Sequence, residues 1–147
     1  MKIFEKILVL IDGTKRSYRV SEYGIKIAVQ NESELHALYV KDEEKMNKLH
    51  IHQKQPFKEI ENAYNQKANR IKTRIKELSK SYNKKVNVNI RKGKVVDEIL
   101  NFIEEFNIDL ICMSHKIRSG SESIRSVSVA NQIIEFAQCP VFILQHK

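Results

Sequence analysis

Short apolar runs alternate with amphipathic segments of helical period, and this alternation constrains the fold more than any other feature. The first and fourth runs are almost continuously apolar, which predicts strands that are buried on both faces. The third alternates strictly and therefore predicts a half-exposed strand near a sheet edge. The predicted strands are "KILVLID" (6–12), "ELHALYV" (34–40), "KVNVNIR" (85–91), "DLICMS" (109–114) and "PVFILQ" (140–145).

Helices are predicted between these runs, over 15–30, 57–82, 95–106 and 127–137. The second has the clearest pattern, with apolar residues at steps of three or four: Phe57, Ile60, Tyr64, Ala68, Ile71, Ile75, Leu78 and Tyr82. Strands that alternate with helices predict an α/β fold with right-handed crossovers. At 147 residues the chain is predicted to form one domain, 1–147, around a five-stranded parallel sheet with helices on both faces.

The formal charge of +8 comes mainly from Lys and Arg residues between 41 and 92. On the second predicted helix these are Lys67, Arg70, Lys72, Arg74, Lys76 and Lys80. Projected at about 100° per residue, they spread around the whole polar face and do not form one stripe. The chain has no Trp, and Tyr64 and Tyr82 fall on the apolar stripe. A solvated helix face is therefore favoured, and nucleic acid is not an expected partner.

Other compositional features point to a cytoplasmic protein without membrane contact. The N-terminal apolar run, Ile7 to Ile11, is too short for a signal peptide or a membrane span. Cys112 and Cys139 lie in or beside apolar runs, and we expect them to be buried thiols in a reducing compartment. The pair His50 and His52 has no obvious further ligand, so no metal site is expected.

One loop has the position of a phosphate-binding loop. "SHKIRSGSESIRSVSVA" (114–130) joins the fourth strand to the last helix, where α/β proteins hold phosphates. It carries cations but a single glycine, Gly120, and it ends near Ser128 at a helix N-terminus. Ser128 is a candidate phosphate ligand or a plain helix cap. Asp12, in Asp-Gly-Thr after the first strand, is likewise a candidate ligand or a turn residue.

The order of these segments resembles the universal stress protein family. "KILVLIDGTKRSYRVSEYGIKIA" is similar to its first strand, Asp-Gly-Ser/Thr turn and helix, and "ELHALYV" to its second strand. "RKGKVVDEILNFIEEFNIDLICMS" and "SVANQIIEFAQCPVFIL" are similar to its later segments. The resemblance covers nearly the whole chain except about 41–60. It implies a doubly wound fold with strand order 3-2-1-4-5 and a nucleotide site between strands 1 and 4.

The resemblance also implies site residues, and it shows a departure from the family. Asp12 matches the acidic residue near the nucleotide, and Val40 the residue whose backbone meets adenine. ATP-binding members carry G-x2-G-x9-G-[ST]; here the glycine positions hold Ser114, Ile117 and Val127, and Ser128 supplies the hydroxyl. A β-branched residue in the left-handed region costs about 1–2 kcal/mol, so the site is predicted to be degenerate. The candidate nucleotide-binding residues are Asp12, Val40, Ser114, Lys116, Arg118, Gly120, Val127 and Ser128.

The leading hypothesis is a stress-response regulator that acts through a protein partner and needs no cofactor. The alternative is a nucleotide-responsive switch that takes ATP or AMP through the altered loop. Catalysis is not expected, because no P-loop, nucleophile elbow or metal cluster is present, although weak ATP hydrolysis stays open.

The final strand is predicted to form a homodimer interface. It would be an edge strand that is apolar on both faces, and proteins pair, cover or shorten such edges. The resemblance implies antiparallel pairing of fifth strands across a two-fold axis, with a tolerated monomeric edge as the alternative. The predicted interface residues are Val141, Phe142, Ile143 and Leu144.

Overall fold

The fold was obtained as a computed structural model, which describes residues 2–116 and 128–146, with only the backbone of Lys116 and His146. The strands are β1 (Lys6–Leu10), β2 (Glu34–Asp42), β3 (Asn87–Gly93), β4 (Leu110–Lys116) and β5 (Val141–His146). The helices are α1 (Lys15–Asn31), α2 (Glu43–Ile51), α3 (Phe57–Ser81), α4 (Val95–Glu105) and α5 (Val129–Phe136). All five predicted strands and all four predicted helices are confirmed, with ends that differ by a few residues.

The strands form one parallel sheet in the order β3-β2-β1-β4-β5, which confirms the doubly wound topology. In the central strand β1, Ile7, Leu8 and Val9 are completely buried, as predicted for a strand covered on both faces. Most of β3 is half-buried at one edge of the sheet, as its alternating pattern predicts. The strand order places β5 at the opposite edge.

Helices cover both faces of the sheet. On one face, α1 and α3 pack on alternate strand residues such as Val9, Ala37 and Cys112. On the other face, α4 and α5 cover the intervening residues, including Leu8 and Ile111. This alternation is the expected consequence of the two-residue period of a strand.

The two cysteines differ in their environments. Cys112 is completely buried, and burial raises the pKa of its thiol to about 12. Cys139 is half-buried, so the prediction of a buried thiol is wrong for this residue. It lies three residues after the end of α5, next to Pro140, where less of the core covers it. Both thiols are free.

The segment after β2, for which no helix or strand was predicted, forms α2. The Asp42 side chain accepts a hydrogen bond from the backbone N–H of Lys45 at 3.3 Å and so caps the helix. Met46 is its one buried residue. The helix therefore begins at the carboxyl end of β2, and Asp42 and Lys45 lie close to the carboxyl ends of the strands.

Membrane-spanning helices were sought among residues 2–116 and 128–146. None of the helices in those ranges is both long enough and apolar enough to cross a bilayer.

Candidate functional site

A cavity of about 380 Å³ lies at the carboxyl ends of β1, β2 and β4. The chain adds β2 and β3 on one side of β1 and then β4 and β5 on its other side, so the strand order reverses between β1 and β4. Open α/β sheets bind ligands outside the carboxyl ends of the strands at such a point. Strand and helix residues form an apolar part of the wall: Leu10, Leu38, Val40, Val95, Ile99 and Met113. Polar and charged residues line the remainder, among them Asp12, Arg16, Asp42, Lys45, Tyr64, Lys67, Ser114, His115 and Ser128.

The turn Asp12-Gly13-Thr14 joins β1 to α1 at the cavity wall. The Asp12 carboxylate accepts hydrogen bonds from the backbone N–H of Thr14, at 2.9 Å, and from the Thr14 hydroxyl. The Thr14 hydroxyl oxygen in turn accepts from the N–H of Ser17 at 3.2 Å and caps α1. Asp12 therefore both supports this turn and lines the cavity.

The surroundings of Asp12 hold its carboxyl group ionised. Partial removal from water raises the pKa of Asp12, but the hydrogen bonds from Thr14 and the nearby charge of Arg16 outweigh this effect. The net result is a pKa below the ordinary value of 3.8. A fixed negative charge thus lies at one side of the cavity.

Three cations also line the cavity: Arg16 in α1, Lys45 in α2 and Lys67 in α3. The Lys67 ammonium group lies 5.6 Å from the centroid of the Tyr39 ring, a cation–π distance. Gly13, at φ +87°, leaves room for this side chain, since a Cβ there would approach the Lys67 Cε to 2.9 Å. The cavity thus combines an apolar wall with positive charge from three separate helices.

These three cations were not predicted as site residues. Lys72, Lys76 and Lys80 are exposed, as expected for a solvated helix face, but Lys67 is half-buried and lines the cavity. The available signal for Lys67 was its position three residues after Tyr64, at the border of the apolar stripe. Arg16 had an equivalent signal, because it lies in the first turn of the helix that follows the Asp-Gly-Thr turn.

Ser128 and Ser114 contribute to the cavity from different backbone environments. Ser128 precedes α5, and its hydroxyl oxygen accepts a hydrogen bond from the N–H of Asn131 at 3.0 Å, so it is an N-cap that also borders the cavity. Ser114 lies within β4 and pairs with Leu144 of β5. The first of the three glycine positions therefore has strand geometry.

Four of the predicted site residues meet around this cavity: Asp12, Val40, Ser114 and Ser128. Lys116 is the last residue of β4, and only its backbone is described. The predicted ligands Arg118, Gly120 and Val127 lie outside the described residues, together with Ile117 and Arg125. Among the described residues, no group of three His, Cys, Asp or Glu side chains could hold a metal ion.

Comparison with known proteins agrees with this architecture. The family model described as "Universal stress protein family" matches residues 3–145. Universal stress protein MJ0531 of Methanocaldococcus jannaschii is 25% identical over 143 residues, which cover 97% of this chain and 83% of the relative.

Two solved structures of similar fold contain adenine nucleotides by their descriptions. One is a universal stress protein in complex with cAMP, with a TM-score of 0.71, 14% identity and coverage of 98% of both chains. The other is the universal stress protein from Archaeoglobus fulgidus in complex with dAMP. It has a TM-score of 0.63 and 17% identity, and the match covers 96% of this chain and 98% of that one. At these identities the similarity shows a common fold.

Proposed function

Because the chain belongs to the universal stress protein family, we propose that its cavity binds an adenosine monophosphate-type ligand. The protein then acts as a ligand-responsive regulator and not as a catalyst. The observation that carries this proposal is the cavity itself, in which an apolar wall and three cations meet at the strand ends.

The size and lining of the cavity suit a nucleoside monophosphate. Its volume of about 380 Å³ lies at the lower end of the range of about 300–1,000 Å³ for ligand pockets. The apolar wall, with Leu38, Val40 and Ile99, offers a surface for a base. Lys67 and Arg16 offer positive charge for one phosphate group. The relatives whose descriptions name cAMP and dAMP support the same ligand class.

A monophosphate agrees better with the altered loop than a triphosphate does. A glycine-rich loop lets backbone N–H groups approach several phosphates closely, and this chain has Ser114, Ile117 and Val127 at those positions. Ser114 is also held in the β4–β5 ladder. A ligand with a single phosphate needs fewer donors, which the side-chain cations supply. The loss of the motif's glycines therefore supports a monophosphate ligand over a triphosphate.

A second candidate function, regulation through a protein partner alone, is favoured by the edge strand β5. Its apolar side chains Val141, Phe142, Ile143 and Leu144 are only half-buried, and β4 is its single partner in the described part of the sheet. We propose that β5 pairs with β5 of a second copy to form a homodimer. On α5, Ile134 and Phe136 are 52% and 56% exposed and add apolar surface for a partner.

Calorimetric titration of the purified protein with AMP tests the proposed function. We expect saturable binding with one ligand per chain, and a loss of about tenfold in affinity for Lys67→Gln. Lys72→Gln is the matched control, because it removes the same charge from an exposed position of α3. Absence of AMP binding would favour the partner-only function. Equal affinity of both variants would remove Lys67 from the site.

A further inference from the structure

Three cations of α3 lie on the flank of the helix that faces α1. At 3.6 residues per turn, Lys67, Arg70 and Arg74 fall within an arc of about 60°. Lys72 and Lys76 are at least about 120° away from each of them around the same helix. The Arg74 guanidinium lies 4.2 Å from the centroid of the Tyr18 ring in α1, which fixes the orientation of this flank.

Aromatic rings support two of these cations, Lys67 and Arg74. Tyr18 and Tyr39 are 8% and 4% exposed, so each ring is a rigid support for the cation above it. Burial raises the pKa of Tyr18, and the charges of Arg74 and Arg70 oppose this rise, as expected if both guanidinium groups lie near its hydroxyl. Side chains ordered before binding lose less entropy when a ligand arrives.

The charges of Arg70 and Arg74 are available to a partner. Both side chains are exposed, and no carboxylate of residues 2–116 or 128–146 forms an ion pair with either one. They line a shallow groove on the exposed surface of α3, between their own side chains and those of Asn69, Thr73 and Glu77, so that one helix forms its whole lining. The groove therefore offers two guanidinium groups, one amide and one hydroxyl, against a single carboxylate.

We propose that this groove binds an acidic segment of a partner protein. Guanidinium groups match carboxylates in a planar, two-bond geometry, which a side-chain ammonium does not provide. The amide of Asn69 and the hydroxyl of Thr73 add hydrogen-bonding groups for the backbone of an extended peptide. Arg70 and Arg74 are separated by one helical turn, about 5–6 Å between Cβ atoms, a spacing that nearby carboxylates of one segment can match.

Two other polyanionic partners fit the surface less well. Single-stranded nucleic acids stack bases on aromatic rings, but the rings of Tyr18 and Tyr39 are buried beneath the cations. A membrane surface favours a basic helix that also carries exposed apolar side chains. In α3, which is described throughout, no large apolar side chain is exposed.

The proposal is independent of the nucleotide. Arg70 and Arg74 do not line the cavity, whereas Lys67 does. Replacement of the two arginines should therefore leave AMP binding unchanged. A loss of acidic-peptide binding can thus be distinguished from a loss of nucleotide binding.

Fluorescence anisotropy with a labelled oligoglutamate peptide provides the test. We expect Arg70→Gln combined with Arg74→Gln to lower affinity about tenfold. The matched control is Lys72→Gln combined with Lys76→Gln, which removes the same net charge from the opposite side of α3. It should change affinity less than threefold, because only weak, screened long-range attraction is lost. Glu77→Gln should strengthen binding about threefold, because it removes the carboxylate in the groove.

Three outcomes would overturn the proposal. The first is no binding of oligoglutamate by the wild-type protein. The second is an equal loss in both double variants, which would mean that only net charge matters. The third is tighter, Arg70- and Arg74-dependent binding of a labelled oligothymidylate, which would assign the groove to nucleic acid. Circular dichroism of each variant checks that the fold is retained.

Discussion

Ser114 of β4 lies opposite Leu144 of β5 in a parallel ladder that continues to the pair Lys116 and His146. In the family motif, Ser114 occupies the position of the first glycine. The position therefore has extended strand geometry, with a side chain that lines the cavity. This relationship is the structural basis for expecting a ligand other than ATP.

Restoration of the motif should create ATP affinity. We expect the variant with glycine at positions 114, 117 and 127 to bind ATP at least about tenfold more tightly than the wild-type protein, because backbone donors can then approach the phosphates. Calorimetric titration with ATP and Mg²⁺ measures the change. A triple variant that folds but gains no ATP affinity would contradict the role assigned to the missing glycines.

Asp12 should make stability depend on pH. Its pKa is lowered in the folded protein, so the ionised carboxylate stabilises the fold above its ordinary pKa of 3.8, the value for the unfolded chain. That contribution disappears as the pH falls through the folded pKa. Compared with Asp12→Asn, the wild-type protein should therefore have a larger free energy of unfolding at pH ~6, and the difference should shrink by pH ~3. Urea unfolding across this range checks the prediction, and a constant difference would contradict it.

Gly24 should not tolerate alanine despite its position within α1. Alanine is favoured over glycine in a helix by about 1 kcal/mol. Here, however, a Cβ would lie 2.3 Å from Val9 Cγ1 and 3.4 Å from Cys112 Sγ in the core. We expect Gly24→Ala to lower the free energy of unfolding by about 1–3 kcal/mol, the usual cost of overpacking. Chemical denaturation measures it, and an unchanged or increased stability would show that α1 can move away from β1.

The sequence predicted the sheet well because its strands have distinct apolar patterns. The run around Ile7, Leu8 and Val9 is continuous, and all three residues are buried. The strand order came from the family resemblance, since periodicity says which segments are strands but not which are neighbours. Helix α2 was not predicted because Met46 is its one buried residue, which leaves almost no apolar period to detect.

The cavity could be predicted only in part. Asp12 follows a strand and Ser128 precedes a helix, so the sequence could predict that both lie near the carboxyl ends of the strands. Lys67 comes from the middle of a long helix, and its position depends on how α3 packs against β2 and the turn at Gly13. The sequence indicates that Lys67 borders the apolar stripe of α3, but not that this tertiary contact brings it to the cavity.

The homodimer proposal predicts a concentration-dependent dimer that requires β5. In sedimentation velocity at micromolar concentration, we expect the wild-type protein to run as a dimer and Ile143→Pro as a monomer, because proline removes a backbone donor. Asn89→Pro is the control, since it places proline in β3, the opposite edge strand, and should leave the dimer intact. A monomeric wild-type protein would contradict the proposal, and so would equal effects of both substitutions.

The most direct test of the proposed ligand is a comparison of AMP and ATP on the unmodified protein by equilibrium dialysis. The cavity, with Arg16, Lys45 and Lys67 in its lining, and the altered loop sequence predict that AMP binds and that ATP binds at least about tenfold more weakly. ATP binding that is tighter than AMP binding would contradict the account, because the sequence has Ser114, Ile117 and Val127 at the three glycine positions of the ATP-binding motif.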